Sequence, residues 1–121
     1  MKGKYKVQSA STLEGFRVRS KDNQDLGTIE ELMIDPASGR VAYAVLCFGG
    51  FLGFGDKLFA VPWSMFRLKP EDRVFLLEVD REVLENAPGF EADDWPDFGD
   101  EHWGAQIHTY YGRQPYWSFS S

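Results

Sequence analysis

Residues 41–48 read VAYAVLCF and are apolar at every position. In a strand, Val41, Tyr43, Val45 and Cys47 point one way, and Ala42, Ala44, Leu46 and Phe48 point the other. A strand that is apolar on both faces has to be covered on both faces. The chain must therefore provide two layers of cover for this one segment.

The flanking residues place that strand in a β-rich setting. Asp35-Pro36-Ala37-Ser38-Gly39 is a turn: Pro36 presets φ for the first corner, Asp35 bonds back to nearby amides, and Gly39 takes a left-handed position. The segment before it, LGTIEELMID, puts Ile29 out of step with Leu32 and Ile34, which predicts a bulge near Glu30 and Glu31. Further upstream, Gly15 to Arg19 alternates apolar and basic residues as a half-exposed strand does. The polar stretch KDNQDLG that follows reads as a turn ending in Gly27. Downstream, LFAVPW and RVFLLEVD supply more strands. Pro62 ends the first, because it has no N–H for a ladder. REVLEN then reads as one or two helical turns closed by Ala87-Pro88-Gly89. Many short strands with frequent turns in about eighty residues predict a mainly β fold, a small antiparallel barrel or sandwich. No internal repeat is present.

Residues 81–121 differ in character. They hold two basic and eight acidic residues, whereas residues 1–80 hold eleven of each, so this segment carries the whole net charge of -6. Such a segment repels nucleic acid, and no basic cluster elsewhere compensates. Within it, Trp103, Ile107, Tyr110 and Tyr111 recur at a helical period and form one apolar stripe. Asp100 and Glu101 suit the positive N-terminal end of that helix, and Gly112 with Pro115 stops it. Trp95, Trp103 and Trp117 all lie in this aromatic-rich tail.

The length, 121 residues, is that of one domain able to bury about two thirds of its unfolded surface. No run approaches the roughly 20 apolar residues of a membrane span. The lysines of MKGKYKVQSASTLEG are followed by no apolar segment, so the start does not read as a secretory signal. A cytoplasmic protein with no membrane insertion is expected. The single cysteine, Cys47, excludes an internal disulfide and has no basic neighbour in sequence to favour a thiolate, so it reads as a buried structural thiol.

Four glycines at 49, 50, 53 and 55 raise the question of phosphate binding. A phosphate loop needs Lys and Ser or Thr next, then a helix. Here Asp56, Lys57 and Leu58 follow, and then a strand-like segment. The glycines are instead expected to turn the chain between two strands. Phe51 and Phe54 then either form a contact surface at the loop tip or fold back onto the barrel end.

Over residues 11–80 this succession resembles the PRC-barrel domain, a small β-barrel family first known from photosynthetic reaction centres, and so implies a small antiparallel β-barrel there. The resemblance rests on Leu26-Gly27, Asp35-Pro36, Gly39, Gly49-Gly50, Gly53, Gly55 and Val61-Pro62-Trp63, which occur in the family's order. The tail is similar, more loosely, to that of stand-alone bacterial members with Tyr-Tyr-Gly and Pro-Tyr-Trp endings. The resemblance implies a part in larger assemblies, as in the cytoplasmic domain of the reaction-centre H subunit or a ribosome maturation factor. It brings no catalytic residues and no cofactor.

The polar residues point the same way. His102 and His108 are spaced to lie on different helix faces, and Asp93, Asp94, Asp97, Asp100 and Glu101 miss the spacing of a calcium loop. Glu30 and Glu31 are adjacent on a strand and do not make an acid–base pair. The expectation is a non-catalytic interaction or adaptor module that self-associates as a dimer and binds an unidentified protein partner. Its candidate contact residues are Phe51, Phe54, Trp95, Trp103, Ile107, Tyr110 and Tyr111. Two alternatives are open. One is a ribosome- or RNA-processing-linked factor. The other is a small-molecule-binding protein or enzyme, using a pocket between barrel and tail lined by His102, His108 or Cys47. The tail helix is expected to pack on a barrel, either its own or a partner's.

Overall fold

The structure, a computed structural model, describes residues 7–48 and 57–118. A one-turn helix α1 (Ala10–Leu13) leads into β1 (Arg17–Ser20), β2 (Asp25–Asp35), β3 (Arg40–Phe48) and β4 (Lys57–Pro62). A 3-10 turn at Trp63–Met65 precedes β5 (Phe66–Lys69), and a second at Pro70–Asp72 precedes β6 (Val74–Leu77). Then come helix α2 (Arg81–Glu85), the short β7 (Phe90–Glu91), helix α3 (Glu101–Tyr111) and a last 3-10 turn at Tyr116–Ser118. The glycine loop, with Phe51 and Phe54, lies outside the described residues.

The hairpin between β2 and β3 forms as its residues dictate. Asp35 accepts from the Ala37 amide at 3.1 Å and from the Ser38 hydroxyl at 2.8 Å, and Gly39 sits at φ 76°. The expected bulge is present, since the register of β2 against β3 shifts between Ile29 and Glu31. A second shift, between Met33 and Ile34, was not legible in the pattern. Ile34 beside it is 51% exposed.

The strands form one seven-stranded sheet in the order β5-β6-β1-β2-β3-β4-β7. It corrects the expectation of an antiparallel barrel in two respects. β1 and β6 pair in parallel, Arg17 opposite Val74 through Ser20 opposite Leu77. The ladder also does not close among the described residues, β5 and β7 being its two ends. The cause is the connection after β4. Pro62 cannot extend the ladder, and the 3-10 turn after it carries the chain onward instead of reversing it. β5 therefore runs in the same sense as β4, and its hairpin partner β6 meets β1 in parallel.

Gly27 is also placed differently from expectation. The polar turn ends earlier, where Ser20 Oγ accepts from the Gln24 amide at 3.0 Å. Gly27 lies inside β2 at φ 110°, opposite Val18. A Cβ there would sit 2.0 Å from the Cys47 carbonyl oxygen of the neighbouring strand. The glycine thus permits a backbone-to-backbone approach between β2 and β3.

The doubly apolar strand is covered on both sides, and Ala42 through Leu46 and Phe48 are all buried. One side belongs to a core shared with Phe16, Val18, Phe75 and Leu77. There Phe16 packs on Phe75 at 5.8 Å, and Trp63 meets Phe75 edge-on at 5.5 Å. Each side chain fully buried in this way contributes about 1.5–3 kcal/mol. The other side, which carries Tyr43, is covered by the C-terminal segment.

The glycines make a graded prediction. Gly27→Ala combines a left-handed φ with a collision against fixed backbone and should cost about 3 kcal/mol or more. Gly39→Ala has a similar φ but open space around it, so only the left-handed penalty of about 1–2 kcal/mol applies. Urea unfolding of the two variants checks the order. Equal losses would show that the close approach at Cys47 is not what requires Gly27.

Candidate functional site

Helix α3 is set by its ends. Asp100 caps it by accepting from the His102 amide at 2.9 Å, and Gly112 closes it at φ 69°. Trp103, Ile107 and Tyr111 turn toward the protein, Ile107 and Tyr111 being buried. Tyr110 leaves the stripe: it is 38% exposed, and its hydroxyl donates to the Val83 carbonyl of α2 at 2.6 Å.

The seam between α3 and the sheet is organised on Tyr43. Its ring meets Trp103 edge-on at 5.4 Å, Tyr116 edge-on at 5.6 Å, Phe98 at 5.8 Å and His108 at 5.3 Å. Offset and edge-on pairs of this kind add about 0.5–1.5 kcal/mol each beyond area burial. Gly104 makes the approach possible, since a Cβ at that position would stand 2.7 Å from the Tyr43 hydroxyl and 3.0 Å from the Trp117 ring. That hydroxyl is buried and bonds to no described residue, as is also true of Tyr111. Burial pushes the phenols of both well above their usual range, with Tyr116 adding to the effect on Tyr43 and Tyr110 to that on Tyr111.

Two clefts flank Tyr116. The first, of about 310 Å³, is walled by Val41, Ala42, Pro62, Trp63 and Tyr116. His108 closes it from below, while Arg40, Ser64 and Gln114 stand at its opening. The second, of about 270 Å³, lies between the β2–β3 hairpin and the tail and is lined by Met33, Ile34, Pro36 and Phe98 among others.

His108 is the polar residue of this seam, at 2% exposure. Its Nδ1–H donates to the Gly104 carbonyl at 2.7 Å, one turn back along α3. Burial lowers its pKa, and the bond to Gly104 only partly opposes the shift.

The residues singled out from sequence separate in space. Trp103, Ile107 and Tyr111 belong to the seam. Trp95 sits beside it, partly exposed, meeting Phe90 edge-on at 5.1 Å and Phe98 at a tilt at 6.0 Å, with its indole N–H donating to the Ala92 carbonyl. His102 is exposed on the outer side of α3, so the two histidines do not meet. Cys47 lies in a different cleft, where the fold brings it near Arg17 and Arg81. Its sequence neighbours had given no sign of basic company. Among the described residues, no group of three or more His, Cys, Asp or Glu is placed to hold a metal ion. Tyr43, Phe98, Tyr116 and Arg40 were not foreseen as site residues. The one usable signal was a tyrosine within an otherwise largely aliphatic strand.

Two predictions follow from this geometry. Gly104→Val should destabilise the protein by about 2 kcal/mol through overpacking against Tyr43 and Trp117. Tyr43→Phe, which removes the unpartnered hydroxyl, should be neutral or stabilising. Thermal melts followed by tryptophan fluorescence would decide both, and a stabilised Gly104→Val would contradict the packing described. A further prediction, beyond these two, concerns pH. Below the unfolded-state histidine value of about 6.5, the unfolded chain takes up a proton that the folded His108 resists. Stability should therefore fall on acidification through this range, and His108→Phe should remove that part of the slope. Urea midpoints at about pH 5.5 and 7.5 measure it, and identical slopes in the two proteins would refute the assignment.

Comparison with known proteins adds the following. The family model for the PRC-barrel domain matches residues 6–84. A solved structure described as a 16S ribosomal RNA processing protein, RimM, from Pseudomonas aeruginosa aligns at 17% identity with a TM-score of 0.44. The alignment covers 68% of this chain and 49% of that one, so the chain spans about half the length of that protein. No curated protein sequence matches the chain at a significant level. The family match takes in β1 to β6 and the start of α2, well over half of the chain, and on that ground the protein belongs to the PRC-barrel domain family.

Proposed function

We propose that this chain is a non-catalytic protein-interaction module that associates with a second copy of itself and with a further protein partner. The observation that carries the reading is the apolar surface around Tyr116. Ile34 is half exposed in the cleft that Met33, Pro36 and Phe98 also line, and Trp117, next to Tyr116, is 36% exposed. Exposed apolar surface grouped in this way marks contact sites, and tyrosine and tryptophan are the residue types that anchor them. A two-fold pairing through one self-complementary patch is the simplest arrangement. The same proposal places the protein in the cytoplasm. Among the described residues no helix is long and apolar enough to cross a membrane.

Two other readings stand beside this one. An enzyme built on His102, His108 and Cys47 would need them to converge, and they lie in three separate places. A ribosome- or RNA-linked role has the family behind it, but the acidic excess of residues 81–121 works against contact with phosphate backbones.

Light scattering coupled to size exclusion tests self-association. The wild-type chain should run as a dimer at micromolar concentration. Ile34→Glu should weaken the dimer by at least tenfold, about 1.4 kcal/mol, without lowering the melting temperature appreciably. A wild-type chain that stays monomeric throughout would sink the self-association reading.

A further inference from the structure

We propose that the cleft over His108 binds a small planar aromatic acid, a ring that bears an N–H donor and carries a carboxylate. The inference goes beyond the interaction reading and rests chiefly on His108 and Arg40, which that reading does not use.

The first observation is the unused face of His108. Its Nδ1–H is committed to the Gly104 carbonyl. In the neutral ring the other nitrogen, Nε2, is then a hydrogen-bond acceptor. No described residue donates to it, and the ring lines the cleft although the residue is 2% exposed. A ring that lines a cavity and has an acceptor nitrogen with no described protein partner can take a donor from whatever fills that cavity. Desolvation disfavours the charged ring, which keeps Nε2 an acceptor.

The second observation is the shape and lining. The volume of about 310 Å³ is at the small end for a ligand site. Trp63, Tyr116 and Pro62 supply flat apolar walls suited to one aromatic ring.

The third is charge. Arg40 stands at the opening and forms no ion pair with a described residue. Among the described residues no aspartate or glutamate lines this cleft, and Asp35 lines the adjoining one, which shares Ala42 and Tyr116 with it. A carboxylate is the natural complement of a guanidinium so placed. Ser64 and Gln114 offer further polar contacts at the same opening.

The cleft also has a consequence for the fold. Arg40 and Val41 come from the start of β3, Pro62 to Ser64 from the end of β4, and His108, Gln114 and Tyr116 from the C-terminal segment. A ligand held there binds only the form in which sheet and tail are together, and so stabilises that form.

The test titrates indole-3-acetate into the full chain, by calorimetry and by ligand-observed NMR. Two probes and two variants accompany it. 1-Methylindole-3-acetate lacks the N–H donor, and 3-methylindole lacks the carboxylate. Saturable binding is expected for indole-3-acetate, weakened at least about tenfold for either altered probe. His108→Phe should abolish the preference for the N–H form, and Arg40→Ala the preference for the acid. The comparison of probes on the wild-type chain needs no variant to fold. Equal binding of all three probes, or no binding of indole-3-acetate up to millimolar concentration, would overturn the assignment. Neither result bears on self-association, which is read from molecular mass without ligand.

Discussion

The face of β3 that carries Tyr43 would lie open to water if nothing were laid across it. The C-terminal segment covers it, and the contact is made by one ring meeting four others: Phe98, Trp103, His108 and Tyr116. The rest of the molecule is arranged to permit this contact. Gly104 removes a side chain where the Tyr43 hydroxyl needs room, and Asp100 and Gly112 set the ends of α3 so that Trp103, Ile107 and Tyr111 turn inward. Among the described residues, two clefts border Tyr116, where tail and sheet meet.

The contact has a polar cost that the structure leaves in place. The hydroxyls of Tyr43 and Tyr111 are buried without a described partner. Leaving such a group unpaired costs about 1–3 kcal/mol, which the aromatic packing around it has to exceed. His108 solves the same problem differently, satisfying one nitrogen within its own helix while its ring lines the cleft. The seam therefore combines strong apolar packing with one polar atom left available. That combination underlies both the association and the ligand binding proposed for this end of the protein.

Much of the fold was legible because it depends on local chemistry. The Asp35–Gly39 turn, the bulge at Glu30 and Glu31, the stop at Pro62 and both ends of α3 follow from residues close together in the chain. What escaped depends on pairs far apart in sequence. The parallel β1–β6 seam arises because β5 follows β4 without a reversal, which no residue in β1 or β6 announces. Gly27 reads as a turn glycine until Cys47 is seen to approach it across the ladder. The candidate site was legible only in part for the same reason. Trp103, Ile107 and Tyr111 declare themselves by helical spacing, but Arg40, Tyr43, Pro62 and His108 come together only when two strands and a helix are placed side by side.

The sequence by itself determined that residues 41–48 needed cover on both faces, that an aromatic helix followed, and that the family pattern of turns was present. These are statements about periodicity, turn stereochemistry and residues in order, all of which are local. Tertiary structure alone decided that the helix meets Tyr43 through Gly104. It also decided that Tyr110 turns to Val83, and that buried His108 lines one cleft together with Arg40. The physical reason is that burial, ring-to-ring geometry and the partner of a hydrogen bond are properties of elements packed together. No single element holds them before packing occurs.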